Sequence, residues 1–295
     1  MPTFVYFLLY LIAAGTLSAL LYYPVFQALS MVWEIRPDRV FYRLVMILSV
    51  LGFWPFIKLL GMNNRAALGY SLAHGRYLRI LAMGFGIGVV IMTVHACLLV
   101  VLGARFPNPG GIHFNALAVA LFTGLLSGLL VAVIEETFFR GALQHGLRRQ
   151  TSLILSFICV NLFFAAVHFT RPPIVTDATS LDWYSGWEML AGMLHKYANF
   201  TNFADSFITL FVAGLLLSLI RERTGNIVLC IGIHAGWVLI IRIVREVTNA
   251  ASDTPAAQLI GSYDNITGWA ATLVLGFVTL VYWRYGRAGT RHMIH

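Results

Sequence analysis

Four ionisable residues sit where an apolar chain should have none: Glu135, Glu136, His168 and His234, with Arg140 close behind the first two. Charge inside a membrane span is costly, so such residues mark function by default. Peptide hydrolysis needs a base to activate water, a donor for the leaving amine and a partner for the developing oxyanion. A carboxylate shielded from bulk water can be the base. Imidazoles can orient the water, pass the proton or stabilise the oxyanion. The same carboxylate and two imidazoles could instead hold a divalent metal with a bound water.

Each residue sits in a distinct local pattern. Glu135 and Glu136 close a long uncharged run, and neighbours on a helix point about 100° apart, so the two carboxylates face different surroundings. Glu136 and Arg140 are spaced i, i+4 in the favourable order for a helical ion pair, which leaves Glu135 as the carboxylate outside that pair. His168 ends an apolar run, with Asn161 two turns earlier on the same face. His234 is flanked by apolar residues, and Gly232 and Gly236 would let another helix approach its backbone.

The elements that must carry these residues are spans of about 20 apolar residues. Eight segments qualify, near 4–31, 40–61, 78–102, 117–138, 153–169, 203–220, 227–247 and 269–285, the fourth continuing as helix to about Leu147. At about 1.5 Å per residue, Glu135, His168 and His234 lie roughly 18, 26 and 14 Å from the same rim, which tilt can bring level.

Composition agrees. Of the 295 residues, 59% are hydrophobic and only 11% charged, against roughly 25% in a soluble domain. The expected fold is all-α, a polytopic membrane protein of about eight transmembrane helices. Three helices occupy 1–116, the site-bearing core 117–247, and a last helix with a cytoplasmic tail 248–295, all in one membrane domain. The first run lacks the basic flank and short length of a secretory signal and reads as a retained helix.

The net charge of +8 forms no continuous basic stripe, so nucleic acid is not expected as a partner. The bilayer is. With a cytoplasmic N-terminus, the inner side holds Lys58, Arg65, Arg76, Arg79, Arg140, Arg148, Arg149, Arg221, Arg223, Arg284, Arg287 and Arg291. The outer side holds fewer bases (Arg36, Arg39, Arg43, Arg105, Arg171, Lys196, Arg242 and Arg245), which favours this orientation; the acids Asp177, Asp182, Glu188, Asp253 and Asp264 fall there too, although acids contribute little to the rule. In the long loop 170–202, Arg171-Pro172-Pro173 stops the fifth helix, and Trp187–Tyr197 suits a short amphipathic helix at the interface. Cys97, Cys159 and Cys230 lack zinc or disulfide spacing and read as buried structural thiols.

Other signatures are missing. There is no HExxH and no GxSxG, and the GxGxG of Gly84, Gly86 and Gly88 follows no strand, so it does not mark a nucleotide site. What the chain resembles is the CAAX-protease and bacteriocin-processing family of intramembrane endopeptidases, also called the Abi family. The family's EExxxR is Glu135-Glu136-Thr137-Phe138-Phe139-Arg140, followed by Gly141. Its FxxxH is Phe164-Ala165-Ala166-Val167-His168. Its third motif, usually HxxxN, is His234-Ala235-Gly236-Trp237-Val238. The resemblance spans about 117–247.

It implies an all-helical protease acting on a membrane-associated peptide or protein. Glu135 would activate water, His168 would position it, and His234 would orient or stabilise the oxyanion. Glu136 and Arg140 would be structural. No resident cofactor is implied, and the glutamic and metal-dependent mechanisms both stay open. Val238 departs from the pattern, because valine cannot donate to an oxyanion; Asn161 is the candidate to replace it. The alternatives are a non-catalytic immunity or scaffold protein of the same family and a proton-relaying transporter, the latter disfavoured because the two halves lack matched broken helices. A bacterial inner membrane is the expected location.

Overall fold

Proline, glycine and charge divide the apolar text into helices. The computed structural model describes residues 2–62, 64–175, 178–252 and 254–286. Helix α1 spans Pro2–Ser30, α2 Pro37–Leu59, α3 His74–Val101 and α4 Phe114–Glu136. A π-helical turn, Thr137–Leu143, carries α4 into α5, Gln144–Arg148. Then follow α6 Leu153–Val167, α7 Ser185–His195, α8 Ala204–Thr224, α9 Val228–Val247 and α10 Trp269–Tyr285. Pro37 stands at the start of α2, where its missing N–H costs nothing. Gly225, at φ 71°, ends α8 in the left-handed conformation that lets its N–H reach the Arg221 carbonyl.

The chain is therefore an all-α polytopic membrane protein. Helices stand at all eight expected places, and the fourth runs on through the π turn to Arg148. Six described helices are long and apolar enough to cross a membrane. The helix at the fifth place, α6, has 15 residues, shorter than the roughly 17 that a full crossing needs, and α10 at the eighth has 17, at that lower limit. The interfacial helix expected over Trp187–Tyr197 is α7, extended by a 3-10 turn over Lys196–Asn202. A two-stranded ribbon was not expected: Arg105–Pro107 (β1) pairs antiparallel with Thr248–Ala250 (β2), Phe106 opposite Asn249. Three-residue strands leave no periodic signal in a sequence. Of the cysteines only Cys230 is buried; Cys159 is half-buried and Cys97 exposed. Asp177, Asp253, Arg287, Arg291 and the rest of the C-terminal tail lie outside the described residues.

The chain forms two compact units that interleave along the sequence. The first comprises Met1–Asn63, Gly146–Thr151 and Ala166–Phe200. In it α1 packs on α2 and α7. Its core holds Ala19, Tyr22, Phe26, Phe41, Met189 and Met193, with Tyr22 edge-on to Phe41 at 5.4 Å. Gly186 lets α7 lie directly on the Ala19 carbonyl, where a Cβ would collide.

The second unit comprises Asn64–His145, Ser152–Ala165 and Thr201–His295. Its central element is α9, which packs against both α3 and α4. Residues 228–237 are buried without interruption, as befits a helix enclosed on all sides. Glycines on facing surfaces make this possible. A Cβ on Gly232 would strike the Leu81 carbonyl, and one on Gly236 would sit 2.6 Å from the Phe85 carbonyl. From the other side, Gly84 and Gly88 meet the carbonyls of Leu229 and Ile233. Two of the three glycines in the GxGxG are thus contact surface for α9, the close backbone approach that small residues permit in membranes. On α4, Gly128 does the same, with the Ala235 carbonyl 3.0 Å from its would-be Cβ.

Candidate active site

The glycine contacts fix α9 against α4 and so bring His234 to the glutamates. His234 Nδ1 lies 2.8 Å from Glu136 Oε1, and its Nε2 lies 3.9 Å from Glu135 Oε2. The imidazole side chain is 9% exposed and Glu136 fully buried, whereas the Glu135 side chain retains 25% exposure. The two neighbouring carboxylates therefore occupy different environments, as their angular separation on the helix requires.

Glu136 and Arg140 form the ion pair that their spacing implies, Arg140 Nη1 donating to Glu136 Oε1 at 3.2 Å. Both side chains are fully buried. Removing two charges from water costs several kcal/mol per ion, so such a pair persists only with further partners. Arg140 has them. Its Nη2 donates to Asn161 Oδ1 at 3.4 Å and to the Gly214 carbonyl at 3.3 Å, and Phe164 presents its ring 4.2 Å from the guanidinium carbon. Phe164 also stands edge-on to His234, ring centres 6.2 Å apart. Arg140 was counted among the basic residues of the inner loops; it is instead a buried member of this cluster.

Asn161 is occupied at both ends of its amide. Its Nδ2 donates to the Phe157 carbonyl at 2.8 Å, and its Oδ1 accepts from Ser218 Oγ at 3.1 Å as well as from Arg140. Gly214 makes the junction possible, since a Cβ there would sit 2.5 Å from Asn161 Oδ1.

The π turn positions Arg140. Single π turns recur at functional sites because they displace a helix's register. Here the displaced backbone has outside support. The Arg140 carbonyl accepts from Arg221 Nε at 3.3 Å, and Arg221 Nη2 reaches the Ala67 carbonyl at 3.5 Å. Tyr70 Oη and Thr137 Oγ1 share a hydrogen bond of 2.6 Å. Burial pushes the Tyr70 hydroxyl above its ordinary range, so it stays protonated. Gly141 lets the 64–70 loop lie against the turn, its would-be Cβ 2.9 Å from the Leu68 carbonyl.

The second unit thus unites Glu135, Glu136, Arg140, Asn161 and His234. His168 follows the last turn of α6 and belongs to the first unit. Val238 is accounted for by packing: its Cβ would lie 3.3 Å from a Cβ on Gly128. Sequence reasoning missed Gly214, Ser218 and Arg221. Their partners are backbone carbonyls and an amide, which no spacing rule announces. Phe164 was visible as a motif position, but its contact with the Arg140 face was not.

Among the described residues no group of three or more His, Cys, Asp or Glu side chains is arranged to hold a metal ion. Glu136 Oε1 is already shared between Arg140 and His234. Glu136 Oε2 is buried and accepts no hydrogen bond among the described residues.

The site defines a class: an all-α integral membrane protein with a buried Glu-Arg-His cluster beside a partly exposed glutamate. The family model described as Rce1-like, type II CAAX prenyl endopeptidase Rce1-like, matches residues 117–240. Residues 117–240 thus match the Rce1-like model, and the resemblance carried by the three motifs is borne out over that segment. No curated protein and no solved structure matches the chain.

Proposed function

We propose that this protein is an intramembrane endopeptidase that hydrolyses a peptide bond of a membrane-associated peptide or protein, and that Glu135 and His234 carry the chemistry. The observation behind this reading is the two-sided engagement of His234. Its Nδ1 is hydrogen-bonded to Glu136 Oε1, which also accepts from Arg140. That bond fixes the ring's orientation and turns Nε2 toward Glu135 across 3.9 Å. Two polar groups beyond direct hydrogen-bonding distance are suited to sharing a water. Glu135 takes a proton from that water as its oxygen bonds to the scissile carbonyl carbon. The C–N bond then breaks, and the proton passes to the departing amine. His234 orients the water and, through its imidazole, assists the proton's transfer. Glu136, Arg140 and Asn161 hold the imidazole in place. No step in this scheme runs through a resident metal, so turnover is expected to survive chelators, and its loss on chelation would overturn the scheme.

The test compares the termini of membrane proteins in cells carrying the native chain and cells carrying Glu135→Gln at equal expression. An uncut species that accumulates only with the variant identifies both the activity and the substrate; a lipidated C-terminal peptide, as in the name of the matched family, is the first class to look for. Identical termini, with the variant rescuing a deletion phenotype, would overturn the reading. Val238 favours the second reading, a non-catalytic immunity or scaffold protein, because the position that usually carries a polar donor is given to packing on Gly128.

A further inference from the structure

Two adjoining cavities in the first unit, of about 490 and 440 Å³, share Arg36, Arg39 and Arg43 in their walls. Arg171 lines the second. Against these four arginines stand two acids, Glu34 and Asp38, and Asp38 is already paired with Arg36 at 2.8 Å. Arg39 and Arg43, one turn apart on α2 and exposed, have no hydrogen-bonding or ionic side-chain partner among the described residues. Nearby, burial and the charge of Arg171 hold the Lys196 ammonium below its usual range, a sign of how crowded with cations this region is.

The opposite wall of the larger cavity is apolar: Val25, Leu29, Leu44 and Ile47 come from the ends of α1 and α2. Trp33, 62% exposed, stands at its edge, as aromatic residues do at the level of lipid headgroups. The walls are therefore charged at one end and greasy at the other, at the ends of two spanning helices. A guanidinium matches phosphate oxygens with two parallel hydrogen bonds, and unpaired guanidiniums crowded together favour a shared anion.

We infer that this paired cavity is a binding site for an anionic phospholipid, with Arg39 and Arg43 on the phosphate and the Val25–Ile47 wall along an acyl chain. The assignment concerns the first unit and is independent of the proteolytic reading of the second.

The full-length protein, purified in detergent and exposed to phosphatidylglycerol or phosphatidylcholine, tests it by native mass spectrometry. Phosphatidylglycerol is retained in preference to phosphatidylcholine. Arg39→Gln/Arg43→Gln lowers that retention roughly 10- to 30-fold, whereas Arg39→Lys/Arg43→Lys keeps most of it. Arg65→Gln/Arg79→Gln, which removes the same charge elsewhere, leaves it unchanged. Thermal unfolding confirms that every variant is folded. Equal retention of the two lipids, or equal loss from both glutamine pairs, overturns the assignment. So does displacement of the lipid by inorganic phosphate, which would mean that the arginines read phosphate without the chain. Binding of an acidic peptide through Arg39 and Arg43 with no lipid preference would assign the cavity to a protein partner instead.

Discussion

His234 Nδ1 shares its 2.8 Å hydrogen bond with Glu136, not with Glu135. The more deeply buried of the adjacent glutamates thus holds both an arginine and an imidazole on its Oε1. The other faces the free edge of that imidazole. This division of labour separates the two carboxylates experimentally. Glu135→Gln lowers peptide cleavage by about 10²- to 10⁴-fold, the usual contribution of a general base, and leaves thermal stability intact. Glu136→Gln lowers both. Cleavage in proteoliposomes and unfolding in detergent are measured on the same preparations. A Glu135→Gln protein with full turnover would remove that residue from the chemistry.

The Glu136–Arg140 pair is expected to be strongly coupled. Arg140→Leu leaves a buried carboxylate without its counter-ion, which costs about 3–5 kcal/mol. Removing both charges in Glu136→Gln/Arg140→Leu costs much less than the two single changes added together. A double-mutant cycle from denaturant unfolding in mixed micelles reads the coupling directly. Simple additivity would mean that water, rather than each other, solvates these groups.

Asn161 acts on Arg140 and not on substrate. Asn161→Ala removes an acceptor shared by Arg140 and Ser218, and the cost to stability is about 1–3 kcal/mol. Turnover falls through kcat with KM little changed, because a displaced Arg140 loosens Glu136 and His234. Gly214→Ala, which drives a methyl group into the same amide, has the same signature. Were Asn161 an oxyanion donor in place of the residue at 238, Asn161→Ala would depress turnover without touching stability, and the positioning role would be withdrawn.

The three glycines of the GxGxG separate cleanly. Gly88→Val destabilises by at least the roughly 1–3 kcal/mol typical of overpacking, since its side chain would enter the Ile233 backbone. Gly86→Ala meets nothing within 4 Å and is neutral, or slightly stabilising through better helix propensity. Unfolding midpoints of the two variants settle the point. Equal sensitivity at 86 and 88 would contradict the α3–α9 interface.

Much of this was legible because a membrane forbids what the sequence displays. Charge within apolar runs exposed Glu135, Glu136 and His234, and the i, i+4 rule gave the Arg140 partner. Glycine at 232 and 236 foretold a close helix neighbour, although nothing in the sequence said that α3 would supply it. The less legible parts depend on backbone. The π turn has no composition of its own; it is visible only through Arg221, Tyr70 and Leu68 pressing on it. The fifth helix ends two residues earlier than hydropathy suggests, because apolar sequence continues past the residues where hydrogen-bonded helix stops, at His168 and Phe169; the eighth runs over 269–285 as expected.

The glycine seam between α3 and α9 bears on how the protein is made. The two faces are roughly 150 residues apart in sequence, a separation that delays contact formation. A ribosome releases α3 and α4 long before α9 exists. Until then their notched surfaces, cut to admit another backbone, have only lipid against them. Glu136 and Arg140 meanwhile have each other but no imidazole. The cluster is therefore completed late in synthesis, when the penultimate described helix slots between two that have been waiting in the bilayer. A nascent chain stalled after α8 would hold every carboxylate of the site and still be inert.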